Sequence, residues 1–117
     1  MILDICLILI WHFVADFVMQ SDWMAQNKSK SNEALASHIK VYTFVIAIPA
    51  VIMFGWMGLI WAILNGLIHS IIDYHTSRKS SQLWKENRIH DFFVVIGFDQ
   101  LLHALTLIIT YNILIGA

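Results

Sequence analysis

The chain has 117 residues, 59% of them hydrophobic and 13% charged, with a formal net charge of −1. Soluble domains usually carry about 25% charge and under half apolar residues, so the composition points to one membrane-embedded domain, residues 1–117, while the overall charge balance says nothing about nucleic acid or other partners. Cys6 is the single cysteine, which excludes an internal disulfide and a cysteine-rich zinc site.

The first apolar run, residues 2–20, lies within MILDICLILIWHFVADFVMQ. It lacks a basic leader and a small-residue cleavage pattern, and so reads as a retained membrane segment. A polar link, SDWMAQNKSKSNEA, leads to a second run over 35–54, with Pro49 a predicted kink. The uncharged FGWMG (54–58) is a predicted tight turn into a third run over 59–74. A second polar link, HTSRKSSQLWKENRI, precedes the fourth run over 92–114. Runs of about 20 residues cross a hydrocarbon layer roughly 30 Å thick, and only helices satisfy their backbone there alone. The expectation is an all-α polytopic membrane protein: a four-helix up-down transmembrane bundle with short interfacial segments in both polar links. Trp23, Met24 and Trp84 are expected at the interface. A water-soluble helical domain is the alternative, because each run contains polar groups.

Lys28, Lys30 and Lys40 fall in the first link or at the start of the next helix, and Arg78, Lys79, Lys85 and Arg88 in the second. An up-down bundle brings both links to one side, and the positive-inside rule makes that side cytoplasmic. A multi-pass inner-membrane protein with both termini on the non-cytoplasmic side is therefore expected.

Each run carries polar residues at helical spacing. His12, Asp16 and Gln20 step by four, as do Asn65, His69 and Asp73; His38 and Tyr42 are four apart, as are Asp99 and His103, with Asp91 eight before Asp99. Residues four apart share a helix face. With alternating helix directions, every stripe falls in the cytoplasmic half, making a pocket open to that side and closed to the other. Carboxylates at such depth are costly, and no Lys or Arg lies in the middle of any run. The relief must be protons, protonated histidine or a bound cation.

Imidazole and carboxylate are ligands for divalent metals, zinc first and manganese or iron as alternatives. His12, Asp16, His69, Asp73, Asp99 and His103 form the expected ligand set, which exceeds one tetrahedral shell and so implies one or two ions. Asp16, His38 and Asp99 are candidates for taking a proton in catalysis, and Lys28, Arg78, Lys79 and Arg88 for contacting substrate or headgroup. Gln20, Tyr42, Asn65, Asp91 and Gln100 are expected to support the ligands. Singly these residues have plainer readings: His12 a satisfied core histidine, Asn65 and Gln20 interhelical hydrogen-bonding groups, Tyr42 a packed ring with its hydroxyl on a carboxylate, and Asp91 a cap of the fourth helix.

HFVADFVMQSDWMAQNK (12–28), HIKVY (38–42), NGLIHSIIDYHTSR (65–78) and FFVVIGFDQLLH (92–103) together resemble a group of small bacterial and phage-encoded integral membrane proteins catalogued as a domain of unknown function. The resemblance covers nearly the whole chain. It implies the polar framework itself, with His12, Asp16, Gln20, Lys28, His38, Asn65, His69, Asp73, Asp99, Gln100 and His103 on its recurring positions. More loosely, the arrangement is similar to inner-membrane metal-dependent hydrolases. The expected function is a metal-dependent hydrolase acting on a lipid or membrane-associated substrate from the cytoplasmic side. Alternatives are a non-catalytic protein whose His/Asp network binds a membrane partner, and proton or metal-ion transport. Expected partners are membrane lipids, with a membrane protein or a second copy of the chain as further candidates, and no nucleic acid.

Overall fold

The apolar runs fold as helices, the state in which a segment pairs its own backbone groups. The computed structural model describes residues 1–116, and among these no strand occurs. In chain order come α1 (Ile2–Phe13), a π turn (Val14–Val18), α2 (Asp22–Asn27), α3 (Asn32–Phe54), α4 (Trp56–Lys85) and α5 (Ile89–Leu114). Ser21 and Ser31 cap α2 and α3, accepting from the Met24 N–H at 3.2 Å and the Ala34 N–H at 3.3 Å. Gly55, at φ +63°, reverses the chain between α3 and α4. α4 ends when Asn87 takes φ +58° and the Arg88 and Asn87 N–H groups donate to the carbonyls of Leu83 and Trp84.

α4 is the central helix, packed along both α3 and α5, while α1 lies against α3 and α5 and α2 against α3. α3 and α4 approach closely. A Cβ on Gly58 would lie 2.0 Å from the Ala50 carbonyl oxygen, and one on Gly66 would lie 2.1 Å from Thr43 Oγ1. This contact sets the faces of α3 and α4 that carry His38, Tyr42, His69 and Asp73 against each other.

Three expectations are corrected. Three helices, α3, α4 and α5, are long and apolar enough to cross a membrane, not four. The first run breaks into 12 α-helical residues and a five-residue π turn, and stops at Met19. Those 17 residues rise roughly 25 Å at most, short of the roughly 30 Å layer. The second polar link is largely helix: α4 continues through HTSRKSSQLWK to a length of 30 residues. Nothing between Thr76 and Lys85 breaks a helix, and Ser80 and Leu83 are buried there, so polarity alone did not make a loop. α3 runs unbroken through Pro49, the position of the expected kink.

The exterior is apolar and part of the interior is polar. Phe44, Ile52, Leu67, Ile71, Phe93 and Ile113 are all exposed, whereas His38, His69, Asp73 and His103 are almost completely buried. A surface of that kind suits lipid rather than water. At one end of the bundle Ile8, Ile46, Ala50, Trp61, Leu107 and Tyr111 form a dry core. The Tyr111 hydroxyl donates to Asp4 Oδ2 at 2.5 Å, joining the start of the chain to the end of α5. The polar links meet at the opposite end, where the Arg78 guanidinium donates to the Ser29 carbonyl at 2.9 Å.

Gly58→Ala is expected to lower stability by about 1–3 kcal/mol, because a backbone oxygen stands where the methyl must go. Gly97→Ala, with nothing within 4 Å of the new atom, should be neutral or raise stability by up to about 1 kcal/mol. Thermal unfolding of both variants in detergent checks the pair.

Candidate metal centre

The buried polar stripes converge on one cluster below the polar end. Four donor atoms meet at its heart: His38 Nε2 from α3, His69 Nε2 and Asp73 Oδ2 from α4, and Asp16 Oδ1 from the π turn. Asp16 Oδ1 lies 3.0 Å from His38 and 3.4 Å from His69; Asp73 Oδ2 lies 3.3 Å from each; the two imidazole nitrogens are 3.2 Å apart. Four ligands at 2.0–2.1 Å from a common centre must stand about 3.3 Å from one another in a tetrahedron. Five of the six separations meet that requirement, and the whole group lies within 4.8 Å. Asp16 Oδ1 accepts no hydrogen bond despite these short distances. Its neighbours crowd it without aiming an N–H at it, which is how donors sharing a cation are arranged.

The His69 ring is held by stacking, between Tyr42 and His103, with both centroids 3.9 Å away. The far nitrogens of His38 and His69 are buried without partners, so packing rather than a hydrogen bond sets these rings.

A second group of donors, Asp16, Asp99 and His103, also lies within 4.8 Å. His103 Nε2 sits 3.2 Å from Asp73 Oδ1 and 3.2 Å from Asp99 Oδ1. The Thr76 hydroxyl donates to Asp99 Oδ1. Gln100 Nε2 donates to Asp99 Oδ2 at 3.0 Å and Asp16 Oδ2 at 3.3 Å, and Gln100 Oε1 stands 3.1 Å from His12 Nε2. Asp16 and Asp73 therefore each turn one oxygen toward the four-donor group and the other toward this second set.

Lys28 reaches into the cluster, its ammonium donating to Asp73 Oδ2 at 3.1 Å. Three buried carboxylates and this one ammonium leave two negative charges, which a single divalent cation cancels while every imidazole stays neutral. The buried His/Asp groups have the donor types and spacing to hold a metal ion.

Several expected placements differ. His12 is engaged on both nitrogens, by Gln100 and by the Tyr42 hydroxyl at 3.0 Å, and stands 3.8 Å from Asp16, outside both donor groups. The Tyr42 hydroxyl thus meets an imidazole, not a carboxylate. His38, a candidate base, is among the four central donors. Asn65 ties α4 to α5 by donating to Thr110 Oγ1 at 2.8 Å, away from the cluster. Gln20 lies beyond the π turn, and its Oε1 is buried without a partner. Asp91 is in the first turn of α5 and pairs with Arg88 at 2.7 Å on an exposed surface; Arg88 itself is the capping residue. Arg78 is spent on Ser29 and Asn32, and Lys79 is exposed outside the cavity lining. Missed from the sequence were Thr76, which the four-residue rule skips because it lies three after Asp73, and Lys30 and Lys85, which line the adjoining cavity.

Fold and cluster together define an all-helical protein with membrane-length helices around a buried His/Asp centre competent for metal. The chain belongs to the family described as Protein of unknown function (DUF3307), whose model matches residues 5–117. No curated protein and no solved structure matches the chain.

Elemental analysis of detergent-purified protein should find stoichiometric divalent metal, lost in His69→Ala and Asp16→Asn. His12→Ala, which removes only a neighbour of the donors, should keep the metal with affinity lowered about 10–100-fold, read by chelator competition. Equal metal content in all three variants would refute the four-donor assignment.

Proposed function

We propose that the protein is a membrane-embedded, metal-dependent hydrolase that works from the cytoplasmic side on a lipid or other membrane-associated substrate. One observation carries this reading. The donor cluster borders a cavity of about 750 Å³ at the polar end, and Asp73 and Asp99 form part of its lining. A centre built only to brace helices gains nothing from such an opening, whereas catalysis needs a position where water and substrate can enter.

Zinc suits the two-nitrogen, two-oxygen donor set best, with manganese or iron as alternatives; one ion belongs among Asp16, His38, His69 and Asp73, and Asp16, Asp99 and His103 are the place for a second. When bound, the metal supplies a water of lowered pKa. Asp99 is the proton acceptor in this proposal, because it lines the cavity and is held by Thr76, Gln100 and His103. His12 and Tyr42 steady Gln100 and hence the orientation of both Asp16 and Asp99. Lys28 balances Asp73 and faces the same cavity.

In the proposed setting α3, α4 and α5 cross the inner membrane, α1 and its π turn complete the bundle from the non-cytoplasmic side, and the basic end faces the cytoplasm. A second reading has support in the Lys28–Asp73 pair and in His103 lodged between two carboxylates. Such a network can bind a bundle together without metal, leaving the protein to act by holding a membrane partner. Ion transport through one subunit is disfavoured by the dry core around Trp61 and Leu107, which stands between the cluster and the far end.

Metal-loaded protein in nanodiscs is expected to hydrolyse members of a panel of lipid phosphoesters and carboxylic esters. Asp99→Asn should lower kcat at least about 100-fold while the ion among Asp16, His38, His69 and Asp73 stays bound. Stoichiometric metal with no turnover on any of the panel would favour the bracing role instead.

A further inference from the structure

The cavity beside the centre has a composition of its own. Its floor is Asp73, Thr76 and Asp99, the open edge of the cluster. One wall comes from the segment after α2 and carries Lys28, Ser29 and Lys30; the opposite wall, on the polar extension of α4, carries Ser77, Ser80, Ser81 and Lys85. No carboxylate lines it except the two on the floor, so the walls present three ammonium groups and a row of hydroxyls. Ser77 Oγ is buried with no hydrogen-bond partner, a donor left unused in a well-packed helix. Ammonium groups and hydroxyl donors converging beside a divalent-metal site are the chemistry that receives phosphate oxygens.

The remaining side is apolar and opens outward. Trp84, Phe93 and Ile96 line the cavity and are also exposed on the outer surface of the bundle, with Phe92 packed 5.0 Å from Trp84. A ligand with a charged head in the cavity would therefore find an apolar way out for a tail. A water-soluble phosphate ester has no use for it, and a neutral peptide would leave Lys30 and Lys85 unanswered.

We propose that this cavity receives the terminal phosphate of a single-headed anionic lipid, its head among Lys28, Lys30, Lys85 and Ser77 and its chain leaving past Trp84, Phe93 and Ile96. For the chemical step after binding, the proposal rests on the hydrolase reading. There, water oxygen bonds to phosphorus and gives one proton to Asp99. The bond between phosphorus and the lipid oxygen breaks. Asp99 returns its proton to that oxygen, and the products are a lipid alcohol and inorganic phosphate.

The test uses full-length, metal-loaded Asp99→Asn protein in nanodiscs, which should bind without turning over. Probes are dioleoyl phosphatidic acid, dioleoyl phosphatidylcholine and inorganic phosphate, with binding read from tryptophan fluorescence and thermal shift. Phosphatidic acid should bind at least about tenfold tighter than either other probe. Lys30→Ala and Lys85→Ala should each weaken it several-fold without changing metal content. Lys40→Ala, an equal loss of charge on an exposed site outside the cavity, should not. Binding of phosphatidylcholine as tight as that of phosphatidic acid, or equal losses in all three lysine variants, would overturn the anionic-head assignment. Inorganic phosphate binding as tightly as the lipid would overturn the tail path. Phosphate release by the unsubstituted protein is scored separately. Tight, lysine-dependent binding without release would sink the hydrolase reading and leave this site standing. Turnover of a neutral ester without phosphatidic acid binding would do the reverse.

Discussion

Three carboxylates held away from water by a shell of apolar helices set the terms for everything else in this protein. Asp16, Asp73 and Asp99 are 3%, 1% and 8% exposed. A lone carboxylate in the middle of a membrane helix costs about 2.5–3.5 kcal/mol even on the most lenient scales, and three together add mutual repulsion. That cost is bearable only if the positive charge is brought to the same place. The bundle brings the Lys28 ammonium from beyond α2, and imidazoles that can ligate a cation from α3, α4 and α5. The geometry of convergence is thus an electrostatic requirement before it is a catalytic one.

The same requirement bears on how helices with so apolar an exterior, three of them long enough to cross a membrane, would hold together in lipid. Between apolar helices in lipid there is little hydrophobic gain from association, so close packing and polar ties must serve. Gly58 lets the α4 backbone meet the Ala50 carbonyl of α3, and Gly66 lets it meet the Thr43 side chain. Trp61 Nε1 donates to the Leu107 carbonyl at 3.2 Å and Asn65 to Thr110, binding α4 to α5 below the cluster. Above those ties, the π turn delivers Asp16 against His38 and His69, while its Phe17 and Val18 stay exposed. Wider turns of this kind recur where a helix must present a functional side chain, and here the turn also ends the helix early.

How much of this can be read from the residues depends on what each signal encodes. The four-residue steps His69/Asp73 and Asp99/His103 report a shared helix face, and stripes at the loop-proximal ends of alternating helices must meet at one depth. Convergence was therefore legible, with Asp16, His69 and Asp73 among the expected ligands, whereas His38 was expected as a base. Two features were hidden because they depend on tertiary contact. Polarity after Tyr74 looks like a loop, yet α4 continues because Leu83 and Ser80 are buried and Arg78 is anchored on Ser29. Lys28 lies in a polar link, and no periodicity says that its ammonium turns inward to Asp73. The break after Phe13 was equally silent: VADFV carries no proline or glycine to announce it.

The cluster is lopsided, and that asymmetry bears most directly on whether the site is structural or active. On one side the four donors close around a point, with the far nitrogens of His38 and His69 sealed in packing. On the other, Asp73 and Asp99 form the edge of an open cavity, and His103 spans the two carboxylates. A purely structural centre would be expected to close evenly, since every exposed carboxylate edge admits water and weakens the local attraction. Tolerating an open edge makes physical sense where something must reach it. The lysines and hydroxyls that line the opening would attract an anion, which would in turn complete the charge balance on the side that the protein leaves unfinished.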